Sequence, residues 1–237
     1  MLGPAWIFIR TLVPLGVSSF VFGQIMQVPS GGVPYFVFFL AGQVPWNCFD
    51  GPLIRGSQGI EVNRELLTKL YVPRIILPLG SMTAGIAEPV IIALVLIGSF
   101  IYYRVNDGVW YVRPEPQLLA AVAAVAVVLA FAFSLTLWTS VWQARARDAR
   151  FALRYIVGFW LFLTPVIYPL SAVPVDIRWM AQLNPLTAPV ETFKWALLPG
   201  MQHSWPWFLY SVAVTVAAFL GGAWYFTRSE AVTMDKL

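Results

Sequence analysis

Six stretches of mostly apolar residues constrain what this chain can fold into. They cover residues 5–27, 35–54, 75–103, 117–141, 153–170 and 205–227. A helix needs about 20 apolar residues to cross the hydrocarbon core of a bilayer. Only 11% of the 237 residues are charged, whereas soluble domains carry roughly 25%. The pattern therefore predicts an all-α integral membrane protein with six transmembrane helices.

The charges between these stretches predict their orientation. The larger group of basic residues lies on one side of the predicted membrane: Arg55, Arg64, Lys69, Arg74, Arg145, Arg147, Arg150, Arg154, Arg228 and Lys236. The smaller group lies on the other side: Arg104, Arg113, Arg178 and Lys194. The positive-inside rule places the larger group in the cytoplasm, so we expect both termini there. Because topology accounts for these charges, the net charge of +4 does not indicate a nucleic-acid partner.

Residues 63–74, NRELLTKLYVPR, form a charged helical pattern between the second and third predicted spans. Asn63 can cap the helix start, and Glu65 lies in the first turn, where the helix dipole favours an acid. The leucines share one face, which leaves Arg64 and Lys69 available to water or to a partner. On the residues alone, a solvated loop helix and a contact with a soluble partner are equally supported.

Residues 171–204, between the fifth and sixth predicted spans, do not read as an ordinary loop. They contain four prolines, yet WMAQL and VETFKWALL are typical of short helices with apolar faces. Helices too short to span are expected either to re-enter the membrane or to lie at its surface. The sequence supports these two alternatives equally.

The sequence contains few of the cysteine and histidine residues that catalytic and metal sites commonly use. Cys48 and His203 are each the only residue of their type, so we expect no metal site and no catalytic residues. The phosphate-binding pattern GxxxxGK[ST] does not occur in the sequence. We therefore expect this chain to be a transport subunit with no cofactor of its own, and any ATP hydrolysis to belong to another polypeptide.

Several segments together resemble the permease subunits of ABC-2 type polysaccharide exporters, which carry O-antigen, capsule or teichoic acid. The resemblance covers nearly the whole chain, in the family's order and spacing. It is carried by LGPAW (2–6), VPYFVFFLAGQVPWNCF (33–49), ELLTKLYVPRIILPL (65–79), RDARFAL (147–153), FWLFLTPVIYPLSAVP (159–174) and NPLTAPVETFKWALL (184–198).

The resemblance implies one ABC-2 transmembrane domain over residues 1–237, in the cytoplasmic (inner) membrane of a bacterium. Members dimerise around a conduit and pair with a separate ABC ATPase that binds ATP and Mg. Their cargo is a polysaccharide linked to a polyprenyl lipid. They usually begin with an amphipathic interface helix before LGPAW; because this sequence starts at that motif, we expect either a truncated start or the absence of the interface helix. The alternative within the same family is an exporter of a small lipid or drug.

The resemblance also implies roles for individual residues. Residues 63–74 correspond to the helix that couples the permease to its ATPase, through Asn63, Arg64, Glu65, Lys69 and Arg74. The second cytoplasmic cluster, at Arg147 and Asp148, is either a topology signal with a local ion pair or a further contact with the ATPase or a carrier diphosphate.

Aromatic residues in the spans are candidates for the conduit wall, because aromatic faces stack on the C–H faces of sugars. The candidates are Trp46, Trp160, Phe162 and Tyr168. Glu88 lies well inside the third span, where an unpaired acid costs about 2.5–3.5 kcal/mol. We therefore expect Glu88 to face the interior of the bundle or of the dimer. Arg10, in the first span, either reaches the cytoplasmic surface or faces the conduit.

Overall fold

Helices account for all regular secondary structure in the residues that the computed structural model describes: 5–63, 73, 75–112, 116–146 and 148–233. The longer helices are α1 (Ala5–Phe20), α2 (Tyr35–Ser57), α5 (Ala87–Asn106), α6 (Leu118–Arg145), α7 (Ala149–Leu163) and α10 (Trp205–Thr233). The shorter ones are α3 (Gly59–Val62), α4 (Ile76–Thr83), α8 (Val175–Gln182) and α9 (Thr187–Leu197). A π-helical turn, Val21–Ile25, continues α1, and a 3-10 turn, Leu170–Ala172, precedes α8.

Four of the six predicted spans match helices that are long and apolar enough to cross a membrane. Among the described residues these are Trp6–Ile25, Ile76–Asn106, Leu118–Arg145 and Trp205–Ser229. The second of them consists of α4 and α5, which are joined by a tight turn. The protein is therefore a membrane protein, and the two further spans, at α2 and α7, remain predictions.

Helix α2 differs from the others because it is buried along nearly its whole length. Its 23 residues run without interruption through Pro45 and Pro52. Gln43, Asn47 and Asp50 make α2 less apolar than the four helices above. A helix surrounded by other helices has little contact with lipid, so its composition is less constrained than that of a lipid-facing span.

Helix α7 is shorter than predicted. It ends at Leu163 after 15 residues, whereas the sequence suggested a span as far as residue 170. Thr164 has extended backbone dihedrals, φ −98° and ψ 135°, because a residue that precedes proline is disfavoured in the helical region. Pro165 follows it and begins the irregular segment that leads to α8.

The two short helices after α7 were predicted, and the structure places them in different surroundings. Helix α9 is buried from Thr187 to Lys194 and packs against α6 and α2. Helix α8 has no buried residue, and its apolar side chains Ile177, Trp179 and Met180 are exposed. Thus α9 is buried within the bundle and α8 is exposed on its surface, whereas a re-entrant or an interfacial position for either helix stays a prediction.

Backbones approach most closely where α2 meets the turn between α4 and α5. A Cβ atom added to Gly85 would lie 2.4 Å from the carbonyl carbon of Gly51 and 2.5 Å from the nitrogen of Pro52. Only glycine at both positions allows this contact, which fixes the third predicted span against α2.

We predict that Gly85→Ala lowers the free energy of unfolding by about 1–3 kcal/mol, because the added methyl group overpacks this contact. The measurement is unfolding by SDS titration in mixed micelles, followed by tryptophan fluorescence. The matched control is Gly98→Ala on α5, where a Cβ meets nothing within 4 Å and helix propensity improves. Equal effects of the two substitutions would contradict the packing assigned to Gly85.

Candidate functional site

A buried ion pair lies at the end of the bundle that contains residues 26–34 and 164–204. Lys194 and Glu191 are one turn apart on α9, with Nζ 3.4 Å from Oε1 and the Lys194 side chain fully buried. Nζ also donates a hydrogen bond to the carbonyl oxygen of Pro165 and lies 4.1 Å from the centroid of the Phe38 ring. The ammonium group therefore joins α9 to α2 and to the turn that follows α7.

Gly42 on α2 leaves the space that this arrangement needs. A Cβ atom there would lie 2.7 Å from the carbonyl oxygen of Val166 and 3.1 Å from Cε of Lys194. Nearby, the Tyr35 hydroxyl donates a hydrogen bond of 2.8 Å to the carbonyl oxygen of Ile167. Helix α2 thus contacts both the turn after α7 and the lysine that stabilises that turn.

A cavity of about 260 Å³ adjoins the ion pair. Its walls come from the loop before α2, from the segment between α7 and α8, from α8 and α9, and from the loop that leads into α10. The polar and aromatic residues of its lining are Ser171, Arg178, Gln182, Thr187, Glu191, Gln202, His203, Ser204 and Trp207. One guanidinium and one carboxylate bring opposite charges to the lining.

Two of these lining residues are held in place by their surroundings. Arg178 donates hydrogen bonds to the carbonyl oxygens of Val173, at 2.9 Å from Nη2, and of Ser171, at 3.2 Å. The His203 ring stacks on Trp195 with 4.7 Å between centroids, and its Nδ1 lies 2.9 Å from Oγ1 of Thr192. Burial lowers the pKa of His203 below its ordinary value, so the ring is neutral at pH 7.

Two of the predicted conduit aromatics belong to one buried cluster. The ring centroids of Trp46 and Phe49 are 5.6 Å apart, and those of Phe49 and Trp160 are 5.3 Å apart. Trp160 Nε1 donates a hydrogen bond of 3.0 Å to Oδ1 of Asn184. The structure therefore connects α2, α7 and the segment before α9 through aromatic contacts.

The other two conduit candidates lie nearer the surface. The Tyr168 hydroxyl donates a hydrogen bond of 3.0 Å to the carbonyl oxygen of Phe162, while the side chain of Phe162 is 59% exposed. The roles of Trp46, Trp160, Phe162 and Tyr168 in a conduit stay predictions, because a single copy of the chain does not define a wall shared by two copies.

Glu88 is paired with a cation from another predicted span. Its carboxylate forms an ion pair with Arg10 of α1, and its side chain is 26% exposed. The partner offsets part of the cost of placing an acid inside a span. Its predicted position facing a bundle or dimer interior stays a prediction.

At the opposite end of the bundle, the structure describes only part of the predicted ATPase contact. Arg64, Glu65, Lys69, Arg74 and Arg147 lie outside the described residues. The Asn63 amide donates hydrogen bonds to the Gly59 carbonyl oxygen, at 2.8 Å, and to Oγ of Ser81, at 3.2 Å.

Helix α7 begins beside this junction. Asp148 is the residue before α7, and its carbonyl oxygen accepts hydrogen bonds from the first turn. Arg150 Nη1 lies 3.8 Å from Oε1 of Glu61, which brings α7 next to α3. The two segments predicted to contact an ATPase therefore begin side by side.

The profile of the ABC-2 type transporter family matches residues 1–198. The chain belongs to this family. The O-antigen export system permease protein RfbA of Myxococcus xanthus is 26% identical over 196 residues, which are 81% of this chain and 72% of the relative. The polysialic acid transport protein KpsM of Escherichia coli is 24% identical over 235 residues, which are 98% of this chain and 88% of the relative. The ABC-2 chain is thus a membrane subunit of a transporter, and the family implies an ABC ATPase as partner.

Sequence reasoning on this ABC-2 permease missed the buried ion pair. Lys194 was counted among the basic residues of an outer loop, and Glu191 was given no role. The available signal was a Glu and a Lys one helical turn apart in an otherwise apolar run, VETFKWALL. In an apolar environment such a pair is most stable when the two charges meet each other.

We predict that Lys194→Met lowers the free energy of unfolding by about 3–5 kcal/mol, because it leaves Glu191 buried without its partner. The double variant Glu191→Gln with Lys194→Met should be more stable than this single variant, because no unpaired charge remains. Both are measured by the same SDS titration. If the double variant is no more stable than Lys194→Met, the ion pair does not contribute as described.

Proposed function

We propose that this ABC-2 permease is the transmembrane subunit of an ATP-driven exporter that moves lipid-linked polysaccharide across the cytoplasmic membrane of a bacterium. The observation that carries the proposal is that both relatives are named for polysaccharide export, and one of them matches 98% of this chain. Export of a small lipid or drug is the alternative, and neither relative is named for such a cargo.

In this proposal two copies of the chain surround the conduit, with both termini in the cytoplasm. Helix α1 supports a second copy as a neighbour, because it is poorly covered within one chain. Its exposed apolar side chains include Trp6, Phe8, Val13, Val17 and Phe20. Lipid covers the part of this surface that the second copy does not.

The junction at residues 59–63 supports a role in transmitting force. A Cβ atom on Gly59 would lie 2.8 Å from the carbonyl oxygen of Leu77, and Asn63 is hydrogen-bonded to Ser81, so α3 packs tightly on α4. A force applied by an ATPase to residues 63–74 would therefore move α2 and α4 together. At its other end, α2 reaches the ion pair of α9, which belongs to the segment between the fifth and sixth predicted spans.

The energy source in this proposal is a separate ATPase that binds ATP and Mg. Residues 63–74 form the coupling helix, and Arg147 with Asp148 form a second contact beside it. The support is that the described neighbours of these segments, Glu61 and Arg150, form an ion pair with each other. One ATPase surface can then engage both segments at once.

We predict that replacing Glu65, Lys69 and Arg74 together by alanine weakens ATPase binding by about tenfold or more, because charged contacts at an interface core each contribute more than about 1 kcal/mol. Polysaccharide export should fall with it. The measurements are copurification of the ATPase and the amount of surface polymer, in a bacterium whose own permease gene has been deleted.

The control is Arg228→Ala, which removes an exposed cation on α10 that stacks on Trp224, 5.1 Å from the ring centroid. It lies on the same predicted side of the membrane but outside the coupling segment, so export should be unchanged. Normal export by the triple variant would refute the coupling role. Absence of polymer export by the unaltered chain, with its own ATPase present, would refute the proposed cargo.

A further inference from the structure

We propose that the cavity beside the Glu191–Lys194 pair is a saccharide-binding subsite that holds a short stretch of the cargo at the outer end of each permease. The identity of the cargo rests on the proposed function, whereas the chemistry of the cavity stands on its own. The cavity measures about 260 Å³, which is at the lower limit of the volumes typical of small-molecule sites.

The charge balance of the lining favours a neutral ligand. Glu191 is already paired with Lys194, and His203 is neutral at pH 7 because burial lowers its pKa, so among the described lining residues Arg178 is the one uncompensated charge. A polyanion such as pyrophosphate would need more positive charge than this single guanidinium, whose Nε and Nη2 already donate to the carbonyl oxygens of Val173 and Ser171. The Lys194 ammonium is fully buried beneath Glu191 and is not part of the lining.

The hydrogen-bonding groups of the lining suit a molecule with many hydroxyl groups. Gln182 carries both a donor and an acceptor, and Glu191 is an acceptor. The Thr187 hydroxyl donates to the carbonyl oxygen of Ala181 at 2.6 Å, which leaves its own oxygen to accept from a ligand. Sugar hydroxyls both donate and accept, so they satisfy this mixture better than an apolar drug or a simple ion.

The same cavity also has apolar and aromatic surface. Trp207 and His203 line it together with Met201 and Leu170. A sugar ring combines a polar rim with C–H faces, and sites for such ligands pair a few placed polar groups with aromatic surface. The cavity thus offers both kinds of contact that a sugar requires.

The walls of the cavity are fixed before any ligand arrives. Gly31 and Gly200 both have positive φ, 70° and 74°, and a Cβ atom on Gly200 would lie 3.1 Å from the carbonyl oxygen of Gly31. The loop before α2 and the loop before α10 therefore pack backbone to backbone. Together with the bonds of Arg178, this lowers the cost of ordering the site when a ligand binds.

The subsite lies apart from the predicted conduit aromatics, because Trp46, Trp160, Phe162 and Tyr168 do not line it. A sugar bound there would be held beside the path of the polymer rather than in it. Such a subsite can retain the emerging end of a chain and oppose its return.

The experiment uses the permease with its ATPase in lipid nanodiscs. The probes are methyl glycosides of common hexoses, short oligosaccharides released by mild acid from the host's own surface polysaccharide, and inorganic pyrophosphate. Binding is measured by saturation-transfer NMR. Gln182→Leu removes the amide and should weaken saccharide binding by about three- to tenfold, and Ala188→Leu should abolish binding because it fills the cavity.

Asp176→Asn is the matched control, since Asp176 is an exposed residue of the same helix α8 that does not line the cavity. This variant should bind saccharides as the unaltered chain does. All variants are first compared for thermal midpoint, so that only folded proteins are scored.

Three results would overturn the subsite. They are no saccharide binding by the unaltered complex, equal binding by all variants, or binding of pyrophosphate that displaces the sugars. If polysaccharide export occurs without saccharide binding, the subsite is refuted and the proposed function stands. If saccharides bind but no polymer is exported, the subsite stands and the proposed cargo is refuted.

Discussion

The end of the bundle that contains residues 26–34 and 164–204 depends on the ammonium group of Lys194, which is completely removed from water. Desolvation of an ammonium costs several kcal/mol, and that cost is offset only where several partners surround the charge. Here the partners come from three parts of the chain: Glu191 on α9, the Pro165 carbonyl after α7, and the Phe38 ring on α2. Because all three partners surround the same charge, α9, the turn after α7 and α2 are held together. The cavity beside Glu191 is bounded by residues of the first two of these parts.

How well each span could be predicted depends on what surrounds it. Helix α6 was predicted at residues 117–141 and extends from Leu118 to Arg145, because its long apolar run carries no charge before its final residue. Helix α2 is continuous through Pro45 and Pro52, as is tolerated in membrane helices that other helices surround. Helix α7 was predicted too long because Val166, Ile167 and Leu170 extend the apolar run beyond Pro165, whereas the helix ends before Thr164, a residue that the following proline disfavours in the helical region.

The site was less predictable than the fold because its contacts join residues that are distant in sequence. The pattern of VETFKWALL places Glu191 and Lys194 on one helix face, but it does not reveal that Phe38 and Pro165 meet them. The aromatic candidates Trp46 and Trp160 were chosen by residue type, and the structure shows that Phe49 connects them. Periodicity assigns a residue to a face of its own helix, whereas the identity of the facing residue is a property of the packed bundle.

Helix α2 is the one element that connects both ends of this arrangement. Near one end it packs against the turn between α4 and α5 through Gly51 and Gly85, and α3 connects this end to the segment predicted to meet an ATPase. At the other end Gly42 and Phe38 contact Lys194. Neither kind of contact can lengthen gradually. A small separation of two packed backbones loses most of their van der Waals attraction, and a small separation around Lys194 leaves a buried charge without its partner. A displacement of α2 must therefore either carry α9 with it or separate Lys194 from its partners, so the two ends of the bundle are mechanically coupled.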